Sequence, residues 1–283
     1  MISFNPGFAI KMGRRCLRKA LHYIIYYTLR LGGSHILLAN ALLLKEKFRQ
    51  SDVLRVVAPG ASVIVGDAAL SSRTVMGDVL CVNYAIECDK LNLWRNASFF
   101  LIENHALYRR YIDAVRSAVA EKGALVVIVK GFGSPKKVVS AIRFLSALSA
   151  IKNVTVLMFD DVYATDLPCA NDFGDLVSGA CPDVVSGAKT LQWVLSFGYA
   201  CGYGKIILHG FDFGVDYAYA NASTDYREEL PPNTWVNKAG VRDAAITDVV
   251  SFSELMRSQG REIMQASCQG PLANILPQED GYV

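Results

Sequence analysis

From Asp52 onward, short β-branched runs alternate with stretches in which apolar residues recur about every 3.6 positions, and this alternation constrains the fold more than any other feature. The runs at 53–58, 79–83, 98–102, 125–129, 154–159, 205–209 and 262–266 read as strands. The stretches at 104–121, 135–150, 184–199 and 246–258 read as helices. Strands interleaved with helices predict an α/β chain, a Rossmann-like parallel sheet with helices on both faces. Such sheets bind ligands beyond the carboxyl ends of their strands. Residues 214–243, with Pro231-Pro232 and few periodic apolar positions, read as a long loop or lid in the C-terminal region, a length that usually carries function.

Residues 1–50 stand apart from this pattern and are expected to form a basic, apolar helical segment. The rest, 51–283, is expected to be one catalytic domain. No Asp or Glu precedes Glu46, whereas Lys11, Arg14, Arg15, Arg18, Lys19, Arg30 and Lys45 do. Removing these seven from the 29 basic residues leaves 22 against 26 acidic ones, so the body is net −4 and the whole positive excess is N-terminal. The run 23–44 is interrupted by Arg30 and Gly32-Gly33, which argues against a spanning helix and for a helical hairpin. Its basic residues beside Leu21, Ile24, Ile25 and Leu29 suit a helix lying in a membrane interface. The alternative is a pair of core helices packed on the body. Nucleic acid is not expected as a partner, because no binding motif accompanies the charges.

A hydrophobic fraction of 52% excludes a disordered tail protein. Seven scattered cysteines without a C-x-x-C pair predict reduced thiols in a cytoplasmic chain, and the lack of Cys/His clusters predicts no zinc site. No small-residue cleavage site follows the apolar stretch, so no cleaved leader is expected.

Several short motifs bear chemistry. The first of these strands runs into Ala58-Pro59-Gly60-Ala61-Ser62, a small-residue turn whose backbone N–H groups can approach a phosphate, though a tight turn without ligand fits equally. Ser186-Gly187 precedes a helix and can present its N-terminus to an anion or simply cap it. In His209-Gly210-Phe211-Asp212-Phe213-Gly214 an acid follows an apolar strand, placed either to bind a ligand or to hold its loop. Asp160-Asp161 invites a metal reading, but an acidic pair after a strand is more often a loop cap, and no metal site is expected. His209 and His105 read as structural histidines.

In order and spacing, four blocks resemble the bacterial lipooligosaccharide sialyltransferases, which use CMP-activated sialic acid. They are the strand and turn at 56–62, the strand ending in Asn83-Tyr84, the span from Val184 through Phe197-Gly198-Tyr199 to G-F-D-F, and C-Q-G-P-L-A-N before Pro277. The resemblance runs from about residue 53 to the C-terminus. It implies that Gly60 and Ser62 line the nucleotide turn and that Asn83 and Asn104 hold the CMP-sugar. It also implies that Ser186 and Gly187 meet the donor carboxylate, with Asp212 in the same nucleotide-sugar site, and that Tyr217 hydrogen-bonds the departing phosphate. A second tyrosine of that family falls at Gly214, and an asparagine of its turn falls at Pro59. Its catalytic histidine falls at Asp243. A carboxylate there can act as general base, or as a nucleophile with retention of configuration, or it only caps a helix beginning near Ala244.

The resemblance thus implies a glycosyltransferase moving a 2-keto sugar acid, sialic acid or Kdo (3-deoxy-manno-octulosonic acid), from its CMP donor to a glycan or glycolipid. The loss of the histidine tilts the choice to Kdo. No cofactor or metal is expected, because CMP is a good leaving group and tyrosine hydroxyls with helix N-terminal amides can neutralise its phosphate. The expected location is cytoplasmic and peripheral at the inner membrane, through residues 1–50. The strand-turn and S-G…G-F-D-F blocks also resemble archaeal-type pterin diphosphokinases, Mg²⁺-dependent enzymes that use ATP. The replaced residues leave room for a third reading, an inactive scaffold.

Overall fold

The computed structural model describes residues 6–58, 77–82, 97–102, 108–129, 138–159, 190–211, 241–266 and 271–279. These residues build an eight-stranded sheet. The strands are β1 (Ile36–Ala39), β2 (Val53–Val57), β3 (Asp78–Val82), β4 (Phe99–Ile102), β5 (Leu125–Val129), β6 (Val154–Phe159), β7 (Lys205–His209) and β8 (Glu262–Gln265). Every pairing is parallel, and the spatial order is β1-β6-β5-β4-β3-β2-β7-β8. A parallel sheet covered on both faces needs strands that are apolar throughout. Phe99-Phe100-Leu101-Ile102 of β4 meets that demand with all four residues buried.

Six helices are described: α1 (Pro6–Leu31), α2 (Ala41–Lys47), α3 (Tyr108–Lys122), α4 (Val138–Ser149), α5 (Thr190–Ala200) and α6 (Val241–Ser258). Ile25 and Leu29 of α1, Tyr111 and Val115 of α3, and Phe144 and Leu148 of α4 pack on one face of the sheet with Val79, Phe100, Val127 and Val156. Trp193 and Phe197 of α5, with Val249, Phe252 and Met256 of α6, cover the other face over Leu54, Leu80, Leu101 and Leu157. Alternation of side chains along each strand sends one set to each core. The expected α/β architecture with helices on both faces is therefore what the chain adopts.

Two details differ from the reading of the sequence. Helix α1 is continuous over 26 residues, and the arm after Gly32-Gly33 is not a second helix but β1 followed by α2. Gly33, at φ +81°, turns the chain out of α1, and the Asn40 side chain caps α2 by accepting from Leu43 N at 2.9 Å. A four-residue apolar run carries no period that separates strand from helix. The open edge of β6 decides it, pairing Ile36 with Val156 and Ala39 with Phe159. Residues 36–39, inside the segment read as a helical hairpin, thus supply a strand to the sheet.

The amino ends of the central strands are locked together. Asp78, buried at the start of β3, accepts from Gln50 N (2.9 Å), Ser51 N (3.3 Å) and the Tyr203 hydroxyl (2.9 Å). Arg49 lies over the Tyr203 ring and donates to the Gly202 carbonyl at 2.7 Å. Burial and the adjacent Asp78 carboxylate raise the Tyr203 pKa, so that hydroxyl stays a donor. This lock leaves the opposite, carboxyl end for ligand chemistry.

Helix α5 approaches the sheet through Gly198. A Cβ there would stand 2.5 Å from Ile206 Cδ1 and 3.1 Å from Leu54 Cδ2. Gly198→Val is expected to cost about 1–3 kcal/mol through overpacking, read as a lower denaturant midpoint with an unchanged slope. A variant as stable as the parent would show that α5 slides freely on β2 and β7.

Candidate active site

The strand order places the site. From β2 the chain steps through β3, β4, β5 and β6 toward one edge, then crosses back to lay β7 on the other side of β2. The reversal makes the carboxyl ends of β2 and β7 the topological switch point, the position at which open parallel sheets bind their ligands. Ala58 N donates to the His209 carbonyl at 2.9 Å, tying the two strand ends together.

Beneath this point lies a polar cluster of buried Arg55 and His209 with half-buried Glu279. Arg55 of β2 donates through Nη1 to Glu279 Oε2 at 2.7 Å and through Nη2 to Oε1 at 2.5 Å, a two-point pair. Its Nη1 also stands 3.4 Å from His209 Nε2. Burial first, and then the Arg55 charge, push the His209 pKa down to about 3, so the imidazole is neutral at pH 7. Glu279 belongs to the C-terminal segment 271–279, which lies along β8: Gln265 N donates to the Pro277 carbonyl (2.9 Å) and Glu279 N to the Gln265 carbonyl (3.1 Å). His209 is thus the structural histidine expected of it, at the end of β7. Arg55 and Glu279 were not singled out in the sequence reading. The signal for Arg55 was a charge inside Val53-Leu54-Arg55-Val56-Val57, since a cation in an apolar strand needs a partner.

Gly60, Ser62, Asn83, Asn104, Ser186, Gly187, Asp212 and Tyr217 all lie outside the described residues, as do Asp160-Asp161 and residues 214–240 of the expected lid. The strands that precede five of them are described. Gly60 and Ser62 follow β2, Asn83 is next after β3, Asn104 is two residues after β4, and Asp212 is three after β7. Those four strands, β4-β3-β2-β7, are consecutive neighbours in the sheet and run the same way.

Asp243 is described, and it corrects an expectation. Helix α6 begins at Val241, so Asp243 is an exposed residue of its first turn and not the N-cap of a helix starting near Ala244; residues 241–243 are accordingly helix and not lid. An acid there complements the positive end of the helix dipole. The Asp243 carbonyl accepts from Thr247 Oγ1 at 2.9 Å, and no described residue holds its carboxylate. Five residues further on, Asp248 Oδ2 accepts from Gln192 Nε2 of α5 at 2.6 Å, binding the first half of α6 to the start of α5, the helix that follows Ser186-Gly187 in the chain. Among the described residues no group of His, Cys, Asp and Glu stands together in the manner of a metal site. The side chains of Cys81 and Cys201 are buried, and burial pushes the Cys201 thiol up to about 12.

Comparison with solved structures adds one result. The monofunctional alpha-2,3-sialyltransferase Cst-I from Campylobacter jejuni superposes with a TM-score of 0.50 at 12% identity, over 81% of this chain and 80% of that chain. The chain shares the overall fold of that protein. The sialyltransferase CstII from Campylobacter jejuni, solved with cytidine-5'-monophosphate, aligns at a TM-score of 0.49 and 14% identity over 80% of this chain and 84% of that one. No protein family and no curated protein is matched by the sequence. At these identities the likeness is one of architecture, and the site must be argued from its residues.

Proposed function

We propose that the protein is a glycosyltransferase that moves a 2-keto sugar acid from a CMP donor to a glycan or glycolipid hydroxyl without a metal. The observation that carries this reading is the adjacency of β4, β3, β2 and β7. It sets side by side the strands leading into Gly60, Ser62, Asn83, Asn104 and Asp212, which sequence resemblance assigns to the nucleotide-sugar. Between the two sugar acids, Kdo is favoured by the replacement of the family's histidine with Asp243.

In the proposed reaction the acceptor oxygen forms a bond to the anomeric carbon while the bond from that carbon to the phosphate oxygen breaks. The electron pair leaves with CMP. Asp243 takes the acceptor's proton, and its exposure in the first turn of α6 leaves it open to an acceptor. Tyr217 donates to the departing phosphate, and Ser186 with Gly187 receives the sugar's carboxylate at a helix start. The donor's stored leaving-group energy leaves the protein chiefly orientation and charge to supply. A base at Asp243 gives inversion of the anomeric centre, whereas a nucleophile there would give retention and a glycosyl-enzyme of added mass.

Thermal unfolding with CMP, CDP, UMP, AMP and ATP, with and without Mg²⁺, tests the donor class. A ligand at 100 times its Kd adds about 2.7 kcal/mol, which for a chain of this size raises Tm by roughly 5 °C. Selective, metal-independent stabilisation by CMP is expected. Asp243→Asn should keep that shift and lose about 10²–10⁴-fold in kcat with the competent CMP-sugar. A response to ATP with Mg²⁺ alone would instead mark a diphosphokinase, and silence toward every nucleotide an inactive scaffold.

A further inference from the structure

Among the described residues, helix α1 carries two apolar faces, of which one is buried and the other exposed. His22, Ile25 and Leu29 are buried against the body, with Ile25 and Leu29 at 0% and 3% exposure. Leu17, Ile24, Tyr27 and Leu31 are 51, 54, 59 and 90% exposed. Their spacings of seven, three and four place them in one stripe along the helix, on the side away from Ile25 and Leu29. The apolar residues that looked like one set in the sequence are thus divided, and α1 lies between the body and whatever meets the stripe.

We infer that this outward stripe seats the protein on a bilayer surface rich in anionic headgroups. The same helix carries Lys11, Arg14, Arg15, Arg18, Lys19 and Arg30 and no acidic residue. An apolar stripe on a helix whose charges are all positive is the composition of an interfacial helix, its apolar side chains entering the acyl boundary and its cations meeting phosphate. A stripe with this spacing also resembles a coiled-coil seam, but two copies of an all-basic helix would repel where such a seam needs opposite charges. No described helix is long and apolar enough to cross a membrane, so α1 lies on the surface. The inference deepens the glycolipid-acceptor reading by naming the docking face, yet it stands on α1 alone and not on the donor assignment.

Deleting residues 1–50 would remove β1 and the core residues Ile25, Leu29 and Ile36, so the test uses side-chain substitutions in the full chain. The probe is flotation with vesicles of phosphatidylcholine, with and without phosphatidylglycerol. Binding is expected only to the anionic vesicles. Arg14→Gln, Arg15→Gln, Arg18→Gln and Lys19→Gln together should weaken it roughly a thousandfold. Ile24→Ser, Tyr27→Ser and Leu31→Ser together should weaken it at least about tenfold with Tm unchanged, because those side chains are exposed. Equal binding to neutral vesicles, unaltered binding by the serine variant, or no binding by the parent would overturn the inference. So would a sedimenting dimer that the serine variant dissolves, which would give the stripe to a second copy. A protein that responds to CMP but ignores vesicles fails this inference alone, and the converse fails the donor reading alone.

Discussion

Glu279→Ala is expected to remove about 3–5 kcal/mol of unfolding free energy, the usual loss when one partner of a buried ion pair is deleted and the other charge stays buried. Arg55 and Glu279 are separated by 224 residues, with side chains only 10% and 18% exposed. Arg55 cannot swing into water without leaving the sheet, so its guanidinium would remain in a poorly polarisable setting with its two-point partner gone. The C-terminal segment 271–279 would also lose its side-chain tie to β2, since Glu279 reaches Arg55 from a backbone already paired to Gln265. Urea unfolding gives the measurement. The double variant Arg55→Leu with Glu279→Leu should recover most of the loss, because a matched apolar replacement abandons no charge. A Glu279→Ala protein within about 1 kcal/mol of the parent would show that this segment hangs loosely on β8.

The second large effect is in pH. His209 titrates at an ordinary value of 6.5 when the chain is unfolded and at about 3 when folded, because burial and then Arg55 oppose its charge. Above about pH 6.5 both states are neutral there, and His209 contributes no pH dependence. As pH falls from 6.5 toward 3 the unfolded chain takes up a proton that the folded chain refuses. Stability then drops with decreasing pH by on the order of 1 kcal/mol per unit from this residue alone. His209→Gln should flatten that window relative to the parent while leaving the slope above pH 7 unchanged. An identical slope in the two proteins across pH 4–6 would mean that the folded imidazole accepts its proton as readily as the unfolded one.

How much of this was legible in advance differs from element to element. The strands at 125–129, 154–159 and 205–209 match their sequence-read bounds residue for residue, because buried parallel strands are unbroken β-branched runs with sharp ends. Helix α6 begins five residues earlier than its periodicity indicated, at Val241 instead of 246. Its first turn, Val241-Arg242-Asp243, is largely polar, and a polar first turn gives no apolar period to read. The earlier start also removes the capping alternative for Asp243, which is a first-turn acid. Arg55 was visible as an anomaly in an apolar run, but nothing local pointed to Glu279.

What the amino-acid sequence determined by itself is local: which runs are strands and which are helices, and hence a parallel sheet with two covered faces and an uncompensated basic N-terminus. Those properties depend on the spacing of neighbours in the chain. Tertiary structure decided the rest. It set the order β1-β6-β5-β4-β3-β2-β7-β8 and gave Ile36–Ala39 to the sheet edge. It brought Glu279 to Arg55, and it divided α1 into a core face and an outward one. Each of these choices depends on which distant surface removes a residue from water, a quantity that no window of neighbouring residues contains.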